Sequence, residues 1–310
     1  MKATAIKDII QKGGIPYEKL CVSAVLSRLA YKPFQEMRID SVKYLKDDTK
    51  LRTLVEQALP KSLDDLKFIC GNELGEFHDT QVYTWLRDNR LYVVFRGTDS
   101  KEDMLANIDL RQRCAGFGKG ILVHNGFRKQ FEIAEENLTK MIVENRTEIK
   151  EIYFLGHSLG MACATIASLF YAQYLKENNP NELPIPALHC HSFGGPRVGN
   201  KKFTEFYVKQ EELFKNTWRV IDYRDPVPKV PISAHYHHVP CKTLYLKDNG
   251  KIKVKTDDYH WFVRPFTLFR SSSLVECFTP HDIVSYIEKL RDIVFEMREN
   301  ESGDKTVDEK

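Results

Sequence analysis

The sequence has no run of about 18 consecutive apolar residues, the length a bilayer-crossing helix needs, so no segment reads as a transmembrane span. It has no CxxC pair, and its seven cysteines (Cys21, Cys70, Cys114, Cys163, Cys190, Cys241 and Cys277) are odd in number. Neither a disulfide framework nor a zinc ribbon is expected from such spacing. An excess of one charge is also lacking. Lys plus Arg total 46 against 43 Asp plus Glu, a net charge of +3, and the basic residues are scattered. No nucleic-acid partner is expected from that distribution. The first residues, Met1-Lys2-Ala3-Thr4-Ala5-Ile6-Lys7-Asp8, are broken by charges and carry no signal-peptide core. The expectation is a soluble, thiol-reduced, cytoplasmic protein, with peripheral contact to lipid surfaces left open. No internal repeat and no compositional shift marks a boundary. Residues 1–298 are therefore read as one domain and the polar run 299–310 as a flexible tail. Nothing in the sequence speaks to oligomeric state.

What is present is a strand–helix alternation. Apolar residues at Tyr17, Leu20, Cys21, Ala24, Val25 and Leu29 share a helical stripe. Val82 to Arg87 and Leu91 to Arg96 read as strands joined at Asp88-Asn89. Phe127, Phe131, Ala134, Leu138 and Met141 mark a helix, and Glu151 to Leu155 a short strand before a helix-forming run from Met161 to Glu177. Ala187 to Phe193 and Thr217 to Ile221 follow as strands. Thr243 to Leu246 and Ile252 to Lys255 flank the hairpin signal Asp248-Asn249-Gly250. Ile283, Tyr286, Ile287, Leu290, Ile293, Val294 and Met297 line one face of a final helix. This order predicts an α/β fold with a mostly parallel central sheet, antiparallel at its edges and flanked by helices.

The chemistry-bearing motif is Gly156-His157-Ser158-Leu159-Gly160, a G-x-S-x-G sequence between a predicted strand and a predicted helix. A sharp strand-to-helix turn of this kind strains the serine backbone and exposes its hydroxyl, and the glycines let strand and helix approach. The helix N-terminus then favours a developing oxyanion. In the α/β-hydrolase order the acid and then the histidine follow the serine. Asp225, in Tyr223-Arg224-Asp225-Pro226-Val227-Pro228, sits in a loop held by two prolines. Asp222 is its rival, or else a strand-end cap. Of the seven later histidines, His281 in Thr279-Pro280-His281-Asp282 is favoured, because Thr279 as cap, Pro280 and Asp282 would place it on a rigid first helical turn. His189 and His191 could face one way along a strand as metal ligands, but no third ligand is evident, so no metal is expected.

Five blocks in order, Phe95-Arg96-Gly97-Thr98, Val123-His124-Asn125-Gly126-Phe127, Gly156 to Gly160, Phe193-Gly194-Gly195-Pro196-Arg197-Val198-Gly199 and Asp225-Pro226-Val227-Pro228, resemble the class 3 lipases, the fungal-type triacylglycerol lipases and their relatives. The resemblance covers roughly residues 65 to 290. It implies an α/β-hydrolase fold that needs neither metal nor cofactor, with Ser158 as nucleophile, Asp225 as acid and His281 as base. It also implies one oxyanion donor at Thr98. The other is the N–H of Leu159, in agreement with the general elbow geometry. Met161 stands where the family usually has a second glycine, and Met104 where its lid often has tryptophan.

The implied reaction is hydrolysis of carboxylic esters of lipids, triacylglycerol-like, through an acyl-enzyme, with action at a lipid–water interface left open. A phospholipase, galactolipase or short-chain esterase would use the same triad, and a catalytically inert hydrolase-fold binding module is the reading from another class. Residues 99–123 carry a short apolar stripe (Met104, Leu105, Ile108) and then Gly116, Gly118 and Gly120, and are read as a lid with glycine hinges. The aromatic-rich stretch 259–278 is read as core, with a lipid-facing surface as the alternative.

Overall fold

A computed structural model describes residues 14–31, 66–70, 81–97, 110–179, 182–231, 235–247, 252–255 and 279–303. The elements in chain order are α1 (Tyr17–Leu29), β1 (Leu66–Cys70), β2 (Val82–Arg87), β3 (Arg90–Phe95), β4 (Gln112–Cys114), β5 (Leu122–His124), α2 (Asn125–Glu144), β6 (Glu151–His157), α3 (Leu159–Glu177), β7 (Ala187–Phe193), α4 (Lys201–Val208), α5 (Glu211–Lys215), β8 (Thr217–Asp222), β9 (Lys242–Leu246), β10 (Ile252–Lys255) and α6 (Ile283–Gly303).

Eight strands form one sheet in the order β1-β2-β3-β6-β7-β8-β9-β10. The four inner pairings, β3 with β6, β6 with β7, β7 with β8 and β8 with β9, are parallel. The edge pairings are antiparallel. This is the α/β-hydrolase architecture expected from the strand–helix alternation. The Asp88-Asn89 connection closes β2 onto β3 with both residues at positive φ (49° and 62°), the conformation that lets a two-residue hairpin follow the sheet twist.

Strand β6 shows why the sheet has helices on both faces. Its residues from Ile152 to His157 are all buried, as a central parallel strand requires. Tyr153 and Leu155 join the core that holds Leu20, Ala24 and Val25 of α1 and Tyr286, Ile287 and Leu290 of α6. Ile152 and Phe154 join the opposite core, with Phe131 and Leu138 of α2 and Ala162, Ile166 and Leu169 of α3. Alternate side chains along one strand thus bind two separate helical layers.

The described half of the expected lid is a β-hairpin. β4 pairs β5 with Gln112 opposite His124, and Ala115 and Phe117 are buried against the α2–α3 core. Gly116, Gly118 and Gly120 have φ of +87°, +132° and +79°, so they are turn positions of this hairpin, which accounts for them without a hinge. Residues 99–109, with Met104, Leu105 and Ile108, lie outside the described residues, as do 259–278 and the turn 248–250. Helix α6 runs to Gly303, into the segment expected as a polar tail.

Candidate active site

Three loops at the carboxyl ends of parallel strands, after β6, β7 and β8, meet the start of α6. Ser158 is the single residue between β6 and α3, with φ 57° and ψ −129°. Such a backbone is costly for a residue with a Cβ, on the order of 1–3 kcal/mol, and persists only where neighbours dictate it. Here the glycines on either side do so. A Cβ on Gly156 would run into the carbonyl of Gly160 and lie 2.6 Å from the Met161 nitrogen. A Cβ on Gly160 would fall on the Phe95 carbonyl oxygen. The Ser158 N–H donates to Phe193 O at 3.0 Å, which ties the turn to β7. Leu159 opens α3, so its N–H has no acceptor within the helix.

The structure brings the three triad candidates together. His281 Nε2 lies 2.9 Å from Ser158 Oγ, and His281 Nδ1 lies 2.8 Å from Asp225 Oδ2. All three residues are buried. Because Nδ1 donates to a carboxylate, Nε2 is left to accept the serine proton. Asp225 is held from several sides. Its Oδ1 accepts from the Val227 N–H at 2.8 Å, its own N–H donates to Asp222 O at 3.0 Å, and the Tyr286 hydroxyl donates to Oδ2 at 2.5 Å.

Asp222, the rival acid, is equally buried but occupied elsewhere. Lys289 Nζ donates to its Oδ2 at 2.5 Å and the Arg224 N–H to its Oδ1 at 3.0 Å, so it caps the end of β8 and anchors α6. The expected capping around His281 is also rearranged. Thr279–His281 is a separate 3-10 turn, and Asp282 caps α6 by accepting from the Val284 N–H at 3.0 Å. An aspartate adjacent to the first helical residue competes better for that role than a threonine four residues back. Thr98 lies outside the described residues.

Two participants were not singled out in the sequence. Tyr286 was read only as one member of an apolar helix face. Its hydroxyl was the available signal, because a tyrosine inside such a stripe needs a polar partner for its tip. Gly194, at φ +56°, is the other: a Cβ there would lie 2.7 Å from Asp225 Oδ2 and 2.8 Å from the Tyr286 hydroxyl. Burial holds the Tyr286 hydroxyl well above its ordinary pKa, so it stays a donor. Met161 fills the space under the next glycine, since a Cβ on Gly195 would lie 2.6 Å from its Cγ, Sδ and Cε.

The histidine pair considered as metal ligands belongs to the opposite layer. His191 Nδ1 donates to Ser23 Oγ at 2.8 Å, and His189 stacks on Tyr153 at 4.2 Å. Among the described residues no group of three His, Cys, Asp or Glu could hold a metal ion. Burial pushes His191 down to about 3 and His189 down to about 4. Both are therefore neutral in the folded protein, while the unfolded chain takes up their protons from about pH 6.5 downward. Their contribution to stability is full above about pH 6.5 and is lost as pH falls toward 3–4. His191→Asn keeps a donor facing Ser23. It is expected to flatten the acid side of the stability curve by up to about 1.4 kcal/mol per pH unit. Urea unfolding at pH 7, 5.5 and 4.5 reads this directly, and an unchanged slope would remove His191 as the cause.

Comparison with known proteins follows from this geometry. The family model described as lipase (class 3) matches residues 92–235, which hold most of β3, the elbow, β7, β8 and Asp225. Over those residues the chain is similar to the class 3 lipases. It is similar to "Secreted mono- and diacylglycerol lipase 1" of Fusarium solani, at 31% identity over 194 residues, 61% of this chain and 54% of that protein. It is similar to a lipase of Rhizopus niveus at 32% identity over 200 residues, 61% of this chain and 49% of the relative. The chain thus spans about half the length of the curated relatives it matches. Among solved structures, the triacylglyceride lipase of Rhizomucor miehei superposes with a TM-score of 0.59 at 22% identity, covering 77% of this chain and 84% of that one. A likeness at that identity establishes the α/β-hydrolase fold. The cytoplasmic expectation is corrected by the secreted Fusarium relative, which points to the cell exterior. That expectation rested on the residues near Met1, whereas a sorting leader forms no part of the folded hydrolase. Among the described residues no helix is long and apolar enough to cross a membrane.

Proposed function

We propose that this chain hydrolyses carboxylic esters of lipids, triacylglycerol-like in class, as one α/β-hydrolase domain. The observation that carries the reading is the hydrogen-bonded line from Ser158 Oγ through the His281 ring to Asp225 Oδ2. In this mechanism His281 Nε2 takes the Ser158 proton as Oγ attacks the acyl carbon. Asp225 keeps the ring oriented and offsets the charge it acquires. The N–H of Leu159 faces the oxyanion, and Thr98 is assigned the second donor on the strength of the family resemblance, each worth about 3 kcal/mol in comparable sites. His281 then returns its proton to the leaving alcohol, and water attacks the acyl-enzyme with His281 again as base. No step requires a metal or cofactor. The substrate at work is expected at a lipid–water interface.

The test compares wild type and Ser158→Ala on a soluble short-chain ester and on an emulsified long-chain triacylglycerol. Wild type is expected to hydrolyse both, and Ser158→Ala to lose at least about 10³-fold on each. Hydrolysis of the soluble ester alone would keep the triad and overturn the triacylglycerol substrate, making phospholipids and galactolipids the next substrates. Activity surviving in Ser158→Ala would overturn the nucleophile. An inactive wild type would leave an inert binding module.

A further inference from the structure

We propose that Tyr31 and His157 are positioning residues that lock the catalytic base in register with the nucleophile, so that the end of α1 is a working part of the active site. The proposal rests on the hydrolase reading above. Ser158 follows β6 directly, and Asp225 lies three residues past the end of β8. His281 instead sits on a single 3-10 turn at the start of the last described segment, and its ring alone would not fix where that turn lies.

His157 supplies the missing tie. It is the last residue of β6, it precedes the nucleophile, and it is buried. Its Nε2 lies 2.8 Å from the backbone carbonyl oxygen of His281, and the two rings meet at 4.6 Å with 31° between their planes. His281 is thereby held at three points: Nε2 on Ser158 Oγ at 2.9 Å, Nδ1 on Asp225 at 2.8 Å and its carbonyl on His157. Two of the three anchors are consecutive residues of one strained turn. The nucleophile–base separation is then set by the end of β6 rather than by the 3-10 turn alone.

The role of Tyr31 follows from hydrogen-bond logic. A carbonyl can only accept, so His157 Nε2 carries the proton. In the neutral ring Nδ1 is then the acceptor, and it faces the Tyr31 hydroxyl at 2.9 Å, which donates to it. Tyr31 thus selects the His157 tautomer that can hold His281. Without it, the ring can move its proton to Nδ1 and turn a lone pair on the His281 carbonyl. The same hydroxyl fills the space over Gly97, where a Cβ would strike it and lie 2.7 Å from the His157 carbonyl oxygen. Tyr31 and His281 both lie outside the segment matched by the family model.

A buried histidine that merely satisfies its own hydrogen bonds would affect folding alone, so the test needs readouts of position. His157→Phe, His157→Gln, Tyr31→Phe and wild type are compared by melting temperature, by kcat and KM on a soluble ester, by the rate at which a soluble fluorophosphonate labels Ser158, and by the proton resonance of His281 Nδ1–H. Displacing a reacting group by about 1 Å costs about 10²-fold. His157→Phe is therefore expected to lose about 10² in kcat and in labelling rate, with KM within about threefold and the Nδ1–H resonance shifted or broadened. His157→Gln, whose amide reaches the same carbonyl, is expected to recover to within about tenfold of wild type. Tyr31→Phe is expected to lose about fivefold, the worth of one hydrogen bond. A folded His157→Phe that labels within threefold of wild type, with an unshifted resonance, overturns the proposal. Equal losses in the Phe and Gln variants would overturn the donor role. Should wild type turn over no ester, the hydrolase reading falls, while labelling and the resonance still decide the positioning of His281.

Discussion

Asp225→Asn is expected to lower kcat on a soluble ester by about 10⁴ while leaving the protein folded. Three donors converge on the Asp225 carboxylate: the Val227 N–H on Oδ1, and His281 Nδ1 and the Tyr286 hydroxyl on Oδ2. A carboxylate accepts all three. An asparagine has one acceptor oxygen and one NH₂ group. With its oxygen toward Val227, the NH₂ faces His281 and forces Nδ1 to become the acceptor. The ring proton then moves to Nε2, where it points at Ser158 Oγ and the histidine can no longer serve as base. With the amide reversed, the NH₂ opposes the Val227 N–H, and a buried donor loses its partner. The second arrangement would keep the base tautomer but strand the buried Val227 N–H, so the first is favoured, and it keeps the shape of the site while removing its function. The measurement is kcat on the soluble ester beside the melting temperature. A loss of less than tenfold in a folded protein would mean that Asp225 does not orient the base.

The sequence made the elbow legible because the constraint there is local. Glycine at 156 and 160, a strand before and a helix after are all readable within about twenty residues of Ser158, and the physical demand (a close approach of β6, α3 and β3) falls on those same positions. The β2–β3 hairpin was legible for the same reason, since Asp88 and Asn89 tolerate the positive φ that their turn needs. What the sequence could not separate was decided at long range. The prolines beside Asp225 favoured it over Asp222, but what occupies Asp222 instead is Lys289, far along the chain. Tyr286 and His157 looked like a core residue and a variable position of a motif. Their polar tips meet Asp225 and the His281 carbonyl only once α6 has docked on the sheet. The three glycines after Cys114 misled in the opposite direction, because glycine signals an unusual φ and does not say whether the turn that uses it is fixed or hinged.

The same local constraint gives the second large expected effect. Gly160→Ala is expected to destabilise the protein by several kcal/mol, enough to abolish folding near 37 °C if the total stability is of ordinary size. The residue lies in the first turn of α3, where alanine would ordinarily improve a helix by about 1 kcal/mol. Propensity therefore predicts the wrong sign. The added Cβ would fall on the Phe95 carbonyl oxygen and stand 2.8 Å from the carbonyl carbons of Phe95 and Arg96, all backbone atoms of the strand beside β6 and the residue after it. Side chains can rotate away from an intruding methyl group, but a paired strand cannot, because β3 is bonded to β2 on one side and β6 on the other. The clash must be relieved by lifting α3 off the sheet, which would pull Leu159 and Ser158 out of line with His281. Chemical unfolding of Gly160→Ala beside Gly118→Ala separates the two demands on glycine. Gly118 needs its positive φ of +132° but has room for a methyl group, with its nearest neighbour at 3.6 Å. Its substitution is expected to cost about 1–2 kcal/mol, and to leave the labelling of Ser158 unchanged. Equal losses in the two variants would mean that the elbow is no more tightly packed than a surface hairpin, and that the strained backbone of Ser158 is not held in place by the helix–sheet contact.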